Sequence, residues 1–145
     1  MAYTNYDYFC GMQHESLIIA VDFDGTIVED AYPAVGAPQL FAFETLKRFQ
    51  DDGHRLILWT YRAGKRLEEA IRFCEENGIK FYAVNCSYEG EIMDGQSRKI
   101  HADLFIDDRN FGGFPGWGVI YQELNGSAPK GKEKKKSGLF SFRKK

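Results

Sequence analysis

The chain has 145 residues, of which 43% are hydrophobic and 15% aromatic, and this composition predicts one folded domain and excludes a largely disordered protein. The net charge of -2 hides an asymmetry, because residues 130–145 hold eight of the 19 basic residues and one of the 21 acidic residues. The tail thus carries +7 and the rest of the chain -9, which argues against non-specific nucleic-acid binding by the body of the protein.

The chain opens with a polar, Tyr-rich lead-in over residues 1–16. The stretch LIIAVDFDGTI at residues 17–27 follows, and its first five residues are too few for a helix and too apolar for an exposed strand. They predict a buried central strand of a parallel sheet. Residues 28–36 combine acidic residues with proline and glycine, which predicts a loop or a short hairpin.

Two helices and two more strands are predicted next. Residues 38–53 and 64–77 carry apolar residues spaced by three or four, and a glycine stands at or just after the end of each segment, as is typical of helices. Residues 54–60 (HRLILWT) predict a second buried strand, and residues 81–86 predict a third.

The last part of the domain is predicted to contain two further strands. Residues 87–97 are polar and predict a loop, residues 104–106 predict a fourth strand, and residues 119–124 predict a fifth after a Gly/aromatic loop at 110–117. Strands that alternate with helices predict an α/β domain with a mostly parallel, five-stranded sheet over residues 17–125.

Residues 126–145 form a basic tail rich in Lys, Gly and Ser, for which we expect a solvated, disordered chain. Leu139, Phe140 and Phe142 lie among its basic residues, so contact with a membrane surface or with RNA is the alternative. A short basic segment by itself binds such surfaces only weakly.

The three cysteines, Cys10, Cys74 and Cys86, show neither CxxC nor Cys/His metal-ligand spacing. Structural disulfides and a zinc site are therefore not expected, whereas a cytoplasmic location is expected. No secretory signal is visible, and no apolar run approaches the roughly 20 residues of a transmembrane helix. The sequence predicts a cytoplasmic protein without a transmembrane segment.

Acidic and hydroxyl side chains stand where three of the predicted strands end. Asp22 and Asp24 follow the first strand, Thr60 closes the second, and Asp107 and Asp108 follow the fourth. The carboxyl ends of parallel strands share one edge of a sheet, so these side chains are expected to converge on one crevice if the first, second and fourth strands are neighbours. For the first two acids, the alternative is a turn that owes its Asp and Gly residues to the backbone alone.

Phosphoryl transfer requires a nucleophile, a hard cation, donors to the phosphate oxygens and an acid for the leaving group. Carboxylates from two strand ends suit Mg²⁺, which prefers oxygen ligands. Lys99, just before the fourth strand, would bind both Asp22 and the phosphate, and Thr60 would donate to a phosphate oxygen. Arg62 and Arg109 are candidate substrate contacts, and a surface charge at the start of a helix is the alternative for Arg62.

These residues resemble the four motifs of the haloacid dehalogenase-like (HAD) superfamily, in the order of that family. DFDGT stands at residues 22–26, a Thr closes the second apolar strand, and a Lys precedes a later strand that a DD pair closes. The resemblance spans residues 17–124 and implies a single three-layer, Rossmann-like domain. Residues 27–59 and 61–98 leave no room for the cap domain of many members, so the chain resembles a minimal, capless type.

The resemblance also implies a role for each acid. Asp22 would become an aspartyl phosphate, and Asp24 would act first as general acid and then as the base that activates water. Mg²⁺ would be held by the Asp22 carboxylate, the Asp24 main-chain carbonyl and Asp107, with Asp108 nearby or linked through water. An acid at the position of Asp24 is the pattern of phosphatases in the family.

The predicted function is that of a Mg²⁺-dependent phosphomonoester hydrolase with a small phosphorylated substrate. The alternatives are a phosphatase of nucleotides or nucleic-acid ends, which the basic tail supports only weakly, and a HAD-like regulatory or binding module without turnover. A response-regulator receiver domain is disfavoured, because its phosphoacceptor Asp follows the third strand. Here that strand ends in residues 85–87 (NCS), and the DD pair comes last.

Overall fold

The structure is a computed structural model and describes residues 16–125. The predicted tail at 126–145, and the lead-in apart from Ser16, lie outside these residues. The elements in chain order are β1 (Ile18–Val21), α1 (Ala42–Asp51), β2 (Arg55–Leu58), α2 (Gly64–Glu76), β3 (Ala83–Val84), β4 (Leu104–Ile106) and α3 (Trp117–Asn125). They confirm the predicted single α/β domain.

The four strands form one parallel sheet in the order β3-β2-β1-β4. The central strand is β1, whose Ile19 pairs with Leu56 of β2 on one side and with Leu104 of β4 on the other. Ile19 and Val21 are completely buried, as expected for a strand with neighbours on both sides. The prediction of a buried central strand at the start of the domain is confirmed.

All three helices contribute side chains to one core cluster, together with alternate strand residues such as Val21 and Leu58. A smaller cluster of Ala20, Ile57, Ala83 and Ile100 lies on the other face of the sheet. Within residues 16–125 no helix contributes to this smaller cluster. The predicted third layer is therefore not formed by a helix in the described part of the chain.

The predicted fifth strand is wrong, because residues 119–124 belong to helix α3. Trp117, Ile120 and Leu124 are spaced by three and four and pack against the main core, whereas Val119 is 46% exposed. The β-branched and aromatic residues favoured a strand, but the apolar stripe has the helical period. The sheet of the described residues has four strands.

The remaining elements lie close to their predicted positions. Helices predicted at 38–53 and 64–77 are observed as α1 and α2, and the third strand is shortened to two residues. Residues 87–97 contain no helix or strand, as predicted. No helix of the described chain has both the length and the apolar character that crossing a membrane requires.

Residues 29–37 form an excursion between β1 and α1 that we call the flap. It is closed at its base by two hydrogen bonds, from the Glu29 N–H to the Ala37 carbonyl at 2.8 Å and from the Gln39 N–H to the Ile27 carbonyl at 2.9 Å. Gly36 passes so close to the Glu29 carbonyl that a Cβ atom would overlap it. The prediction of a loop or short hairpin is confirmed.

Candidate active site

The carboxyl edge of the sheet gathers three of the predicted acids. Asp22 and Asp107 directly follow the neighbouring strands β1 and β4, and the Asp22 N–H donates to the Ile106 carbonyl at 2.9 Å. One carboxylate oxygen each from Asp22, Asp107 and Asp108 lies within 4.8 Å of the other two. Strand pairing therefore brings together acids that are 85 positions apart in the sequence.

This cluster borders an open crevice of about 820 Å³. The crevice is lined by Asp22, Asp24, Asp30, Tyr32, Trp59, Thr60, Tyr61, Asp107 and Arg109. The structure thus brings together the predicted residues of the first strand, the second strand and the loop after the fourth.

Asp22 is only partly exposed, and burial raises its pKa to about 7 from an ordinary value of 3.8. The negative charges of Asp107, Asp108 and Asp24 raise this pKa further, against the opposing effect of a hydrogen bond from the Phe23 N–H. A positive charge within the cluster would favour the ionised form of Asp22.

Asp108 offers a ligand atom that the described protein does not use. Its Oδ1 atom is buried and has no hydrogen-bond partner among residues 16–125. Buried carboxylate oxygens are normally paired, so an unpartnered one beside two other acids calls for a cation. The donor set consists of oxygens alone, which suits a hard divalent ion.

The Gly25–Thr26 turn holds this acid cluster in place. Gly25 has φ +77°, and a Cβ atom there would lie 2.7 Å from Asp108 Cγ. Thr26 is completely buried, and its Oγ1 accepts a hydrogen bond from the Asp108 N–H at 3.0 Å and donates to Asp22 Oδ2 at 3.5 Å. The turn therefore sets the distance between Asp22 and Asp108.

Trp117, which lies 91 positions later in the sequence, contacts the same turn. Its indole Nε1 donates to the Thr26 carbonyl at 2.7 Å, and the residue is 1% exposed. This side chain of the Gly/aromatic loop is therefore part of the main core. Thr26 and Trp117 were not predicted as site residues, although Thr26 lies within the DFDGT motif that pointed to the site.

Thr60 lies two residues after strand β2, and two neighbouring residues hold it in place. Its N–H donates to the Asn85 Oδ1 at 2.8 Å, and its Oγ1 accepts from the Arg62 N–H at 3.2 Å. Asn85 has φ +52°, a left-handed conformation that asparagine tolerates better than most residues. Sequence reasoning missed Asn85, whose only signal was its place at the end of the third strand.

Arg62 forms an ion pair with Asp24 that the sequence did not predict. Its Nε and Nη2 atoms donate to the two carboxylate oxygens of Asp24, each at 2.7 Å. Arg62 is 2% exposed, so the interpretation as a surface charge is wrong. Hydrogen bonding to Asp24 raises the pKa of the guanidinium above its ordinary value.

The two remaining predicted cations differ in their relation to the crevice. Lys99 Nζ lies 5.9 Å from the centre of the Phe105 ring, and Lys99 is neither among the residues that line the crevice nor in a salt bridge with a described residue. Arg109 lines the crevice, and its backbone N–H donates to Asp107 Oδ1 at 2.8 Å. Arg109 therefore remains a candidate substrate contact by position.

No family model and no curated protein matches the chain. Among solved structures, the chain is similar to a conserved protein from Bacteroides thetaiotaomicron, with 55% sequence identity and a TM-score of 0.72. The match covers 76% of this chain and 90% of that protein. With this identity over nearly the whole length of the relative, the chain belongs to the same family as the conserved Bacteroides thetaiotaomicron protein.

Proposed function

We propose that this protein is a Mg²⁺-dependent phosphomonoester hydrolase of the HAD type that acts through an aspartyl phosphate on Asp22. The observation that carries the proposal is the convergence of Asp22, Asp107 and Asp108 within 4.8 Å at the carboxyl edge of the sheet. Asp22, Asp24 and Thr60 line the same crevice, which supports their proposed roles as nucleophile, acid/base group and hydrogen-bond donor to the phosphate.

The residues at the sheet edge fit Mg²⁺. The carboxylates of Asp22 and Asp107 and the main-chain carbonyl of Asp24 would hold it, with Asp108 bound directly or through water. The unpartnered Asp108 Oδ1 and the raised pKa of Asp22 both support a cation at this place. When bound, the ion would neutralise charge on the phosphate oxygens.

The chain's own groups then divide the reaction. A carboxylate oxygen of Asp22 attacks phosphorus, the bond from phosphorus to the leaving oxygen breaks, and the leaving alcohol takes a proton from Asp24. Water then attacks the aspartyl phosphate and gives a proton to Asp24, which releases inorganic phosphate and restores Asp22. Thr60 donates to a phosphate oxygen throughout, and Lys99 remains a proposed second donor.

Turnover of an aryl phosphate with Mg²⁺, with and without EDTA, tests this mechanism. We expect activity in wild type that EDTA removes and that Asp22→Asn abolishes. The matched control is Asp51→Asn, because Asp51 is an exposed acid at the end of α1 with no contact to the crevice. Activity that survives EDTA or the Asp22 substitution would contradict the mechanism.

A phosphatase of nucleotides is the second candidate function, and the crevice walls favour it. Tyr32, Trp59 and Tyr61 line the crevice, and Tyr61 is 95% exposed. Aromatic side chains of this kind provide surfaces on which bases stack. Nucleoside monophosphates turned over faster than sugar phosphates would support this candidate, and the reverse order would exclude it.

A HAD-like module without turnover is the remaining alternative. It predicts that Mg²⁺ raises the melting temperature while no phosphorylated compound is hydrolysed. The proposed location is the cytoplasm, which free thiols at Cys74 and Cys86 support. Burial raises the pKa of the Cys74 thiol to about 12, so this thiol is unreactive at neutral pH.

A further inference from the structure

Arg62 is the only charged residue that is buried within residues 16–125. Four of the five N–H groups of a guanidinium have acceptors here. Two donate to the Asp24 carboxylate, and the others donate to the carbonyls of Pro33 at 3.2 Å and Ala34 at 2.6 Å. A buried guanidinium is strongly unfavourable without such partners, so these contacts depend on one another.

The contacts of Arg62 join three segments that are distant in the sequence. Asp24 belongs to the turn after β1, Arg62 lies just before α2, and the two carbonyls belong to the flap. The guanidinium carbon also lies 5.0 Å from the centre of the Phe23 ring and 5.3 Å from that of Tyr32. The flap is thus attached to the site through one side chain.

We propose that Arg62 is a positioning residue that couples the flap to Asp24. The inference rests on the proposed function, in which Asp24 is the acid/base group. The bidentate pair fixes both oxygens of Asp24, and the two flap carbonyls hold the guanidinium in the place where it forms that pair. The Arg62 side chain is fully buried whereas that of Asp24 is 18% exposed, so the pair holds both Asp24 oxygens in one arrangement and leaves Asp24 open to the crevice.

Hydrogen–deuterium exchange of the flap amides in the full chain tests the coupling and does not require the protein to be catalytically active. Arg62→Met keeps the aliphatic stem and removes the charge, whereas Asp24→Asn keeps the shape of the acid and removes its charge. We expect either change to speed exchange of the Glu29 and Gln39 amides, which donate across the base of the flap, by about tenfold or more. Each change weakens the anchor of the flap carbonyls, so the flap base opens more often.

Arg66→Met is the matched control. The Arg66 guanidinium carbon lies 5.4 Å from the centre of the same Tyr32 ring, but Arg66 forms no described hydrogen bond with Asp24. Exchange in this variant should stay within about twofold of wild type. If Asp24→Asn leaves flap exchange unchanged, the flap is anchored independently of Asp24 and the proposal is wrong. Arg62→Lys gives the same test if Arg62→Met does not fold, since lysine cannot form the bidentate pair.

The kinetic test uses two leaving groups. An alkoxide needs a proton from Asp24 in order to leave, whereas nitrophenolate leaves without one. Arg62→Lys should therefore lower kcat/KM about a hundredfold for an alkyl phosphate and about tenfold or less for nitrophenyl phosphate, with little change in KM. Arg66→Met should leave both values near those of wild type.

Two kinetic outcomes would overturn the proposal. Equal losses on both substrates would mean that Arg62 supports the fold alone, and a loss confined to KM would mean that it binds phosphate. A wild-type protein that hydrolyses neither substrate would contradict the proposed hydrolase instead. The exchange experiment would then decide the coupling by itself, so the two failures are distinguishable.

Discussion

Asp22 lies where a negative charge is disfavoured. It is partly buried, and it faces three other acids across the end of β1. Folding energy alone would favour a neutral side chain at this position, since desolvation and like charges both disfavour the carboxylate. Residues that oppose stability in this way are characteristic of functional sites, where a bound ion or substrate supplies the missing charge.

The metal-free protein should lose stability as the pH rises, because of Asp22. Its pKa of about 7 exceeds the ordinary 3.8, so the folded state binds this proton more tightly than the unfolded state. The contribution is complete below the ordinary pKa and is lost as the pH rises to about 7. In EDTA, Asp22→Asn should match wild type near pH 4 and exceed it at pH 8, by on the order of 1–2 kcal/mol after allowance for solvent screening.

Urea unfolding at the two pH values measures this difference. Asp51→Asn is the control, because it removes an exposed carboxyl that does not line the crevice. Adding Mg²⁺ at pH 8 should stabilise wild type and close the gap to the Asn variant. A gap that is the same at pH 4 and pH 8 would contradict the assignment of this titration to Asp22.

Removing the Asp24 carboxylic acid should slow both half-reactions. We expect Asp24→Asn to lower the rates of phosphoenzyme formation and breakdown, each by roughly 10²- to 10⁴-fold, as is typical for acid–base groups. Rapid-quench measurement with an aryl phosphate separates the two steps. Asp30→Asn is the control, since Asp30 lines the same crevice without an assigned role. Wild-type rates in the Asp24 variant would show that the assigned role is wrong.

At the scale of elements, the turn after β1 determines the geometry of the site. Gly25 permits a left-handed backbone next to Asp108, and Thr26 connects that acid to Asp22. Helix α3 stabilises the turn, because the indole N–H of Trp117 donates to the Thr26 carbonyl. A helix that begins more than 90 positions later thus stabilises the nucleophile's surroundings, which a short sequence motif does not reveal.

Gly25→Ala should destabilise the protein by about 2–4 kcal/mol, from left-handed strain plus overlap with the Asp108 carboxylate. Gly112→Ala separates the backbone strain from the overlap, because Gly112 has φ +93° but no atom within 4 Å of an added Cβ. Its variant should lose only the strain, about 1–2 kcal/mol. Thermal unfolding measures both, and equal losses would mean that the approach to Asp108 is unimportant.

At the scale of the whole molecule, charge is divided between the body and the tail. Residues 1–129 carry -9 and residues 130–145 carry +7. The four strands, the three helices and the crevice described above lie within residues 16–125. The groups assigned to the proposed chemistry therefore all belong to the acidic body.

Ending the chain at Pro129 should leave both the melting temperature and aryl phosphate turnover unchanged. The reason is that every group assigned to the reaction lies in the described domain. Steady-state kinetics and thermal unfolding of the shortened and full chains provide the measurement, at low and at physiological salt. A collapse in rate would show that residues 130–145 are part of the site.

The sequence by itself determined the class of fold and the acidic edge of the sheet. Buried strands and amphipathic helices follow from local hydrophobic patterns, and acids after β1 and β4 lie at the same edge of the sheet because those strands are parallel. They meet because the two strands are neighbours, which only the structure shows. The same local reasoning mistook α3 for a strand, since its β-branched and aromatic residues outweighed the spacing of Trp117, Ile120 and Leu124.

Only the tertiary structure decided which side chains touch. The pairing of Asp24 with Arg62, the support of Thr60 by Asn85 and the position of Lys99 beside Phe105 all depend on how separate segments pack. No local pattern encodes such contacts, because side-chain direction and burial are set by neighbours that are distant in the chain. The physical reason is that hydrophobic periodicity is a property of neighbouring residues in the sequence. A charged group, in contrast, acquires its partners only when distant segments pack together.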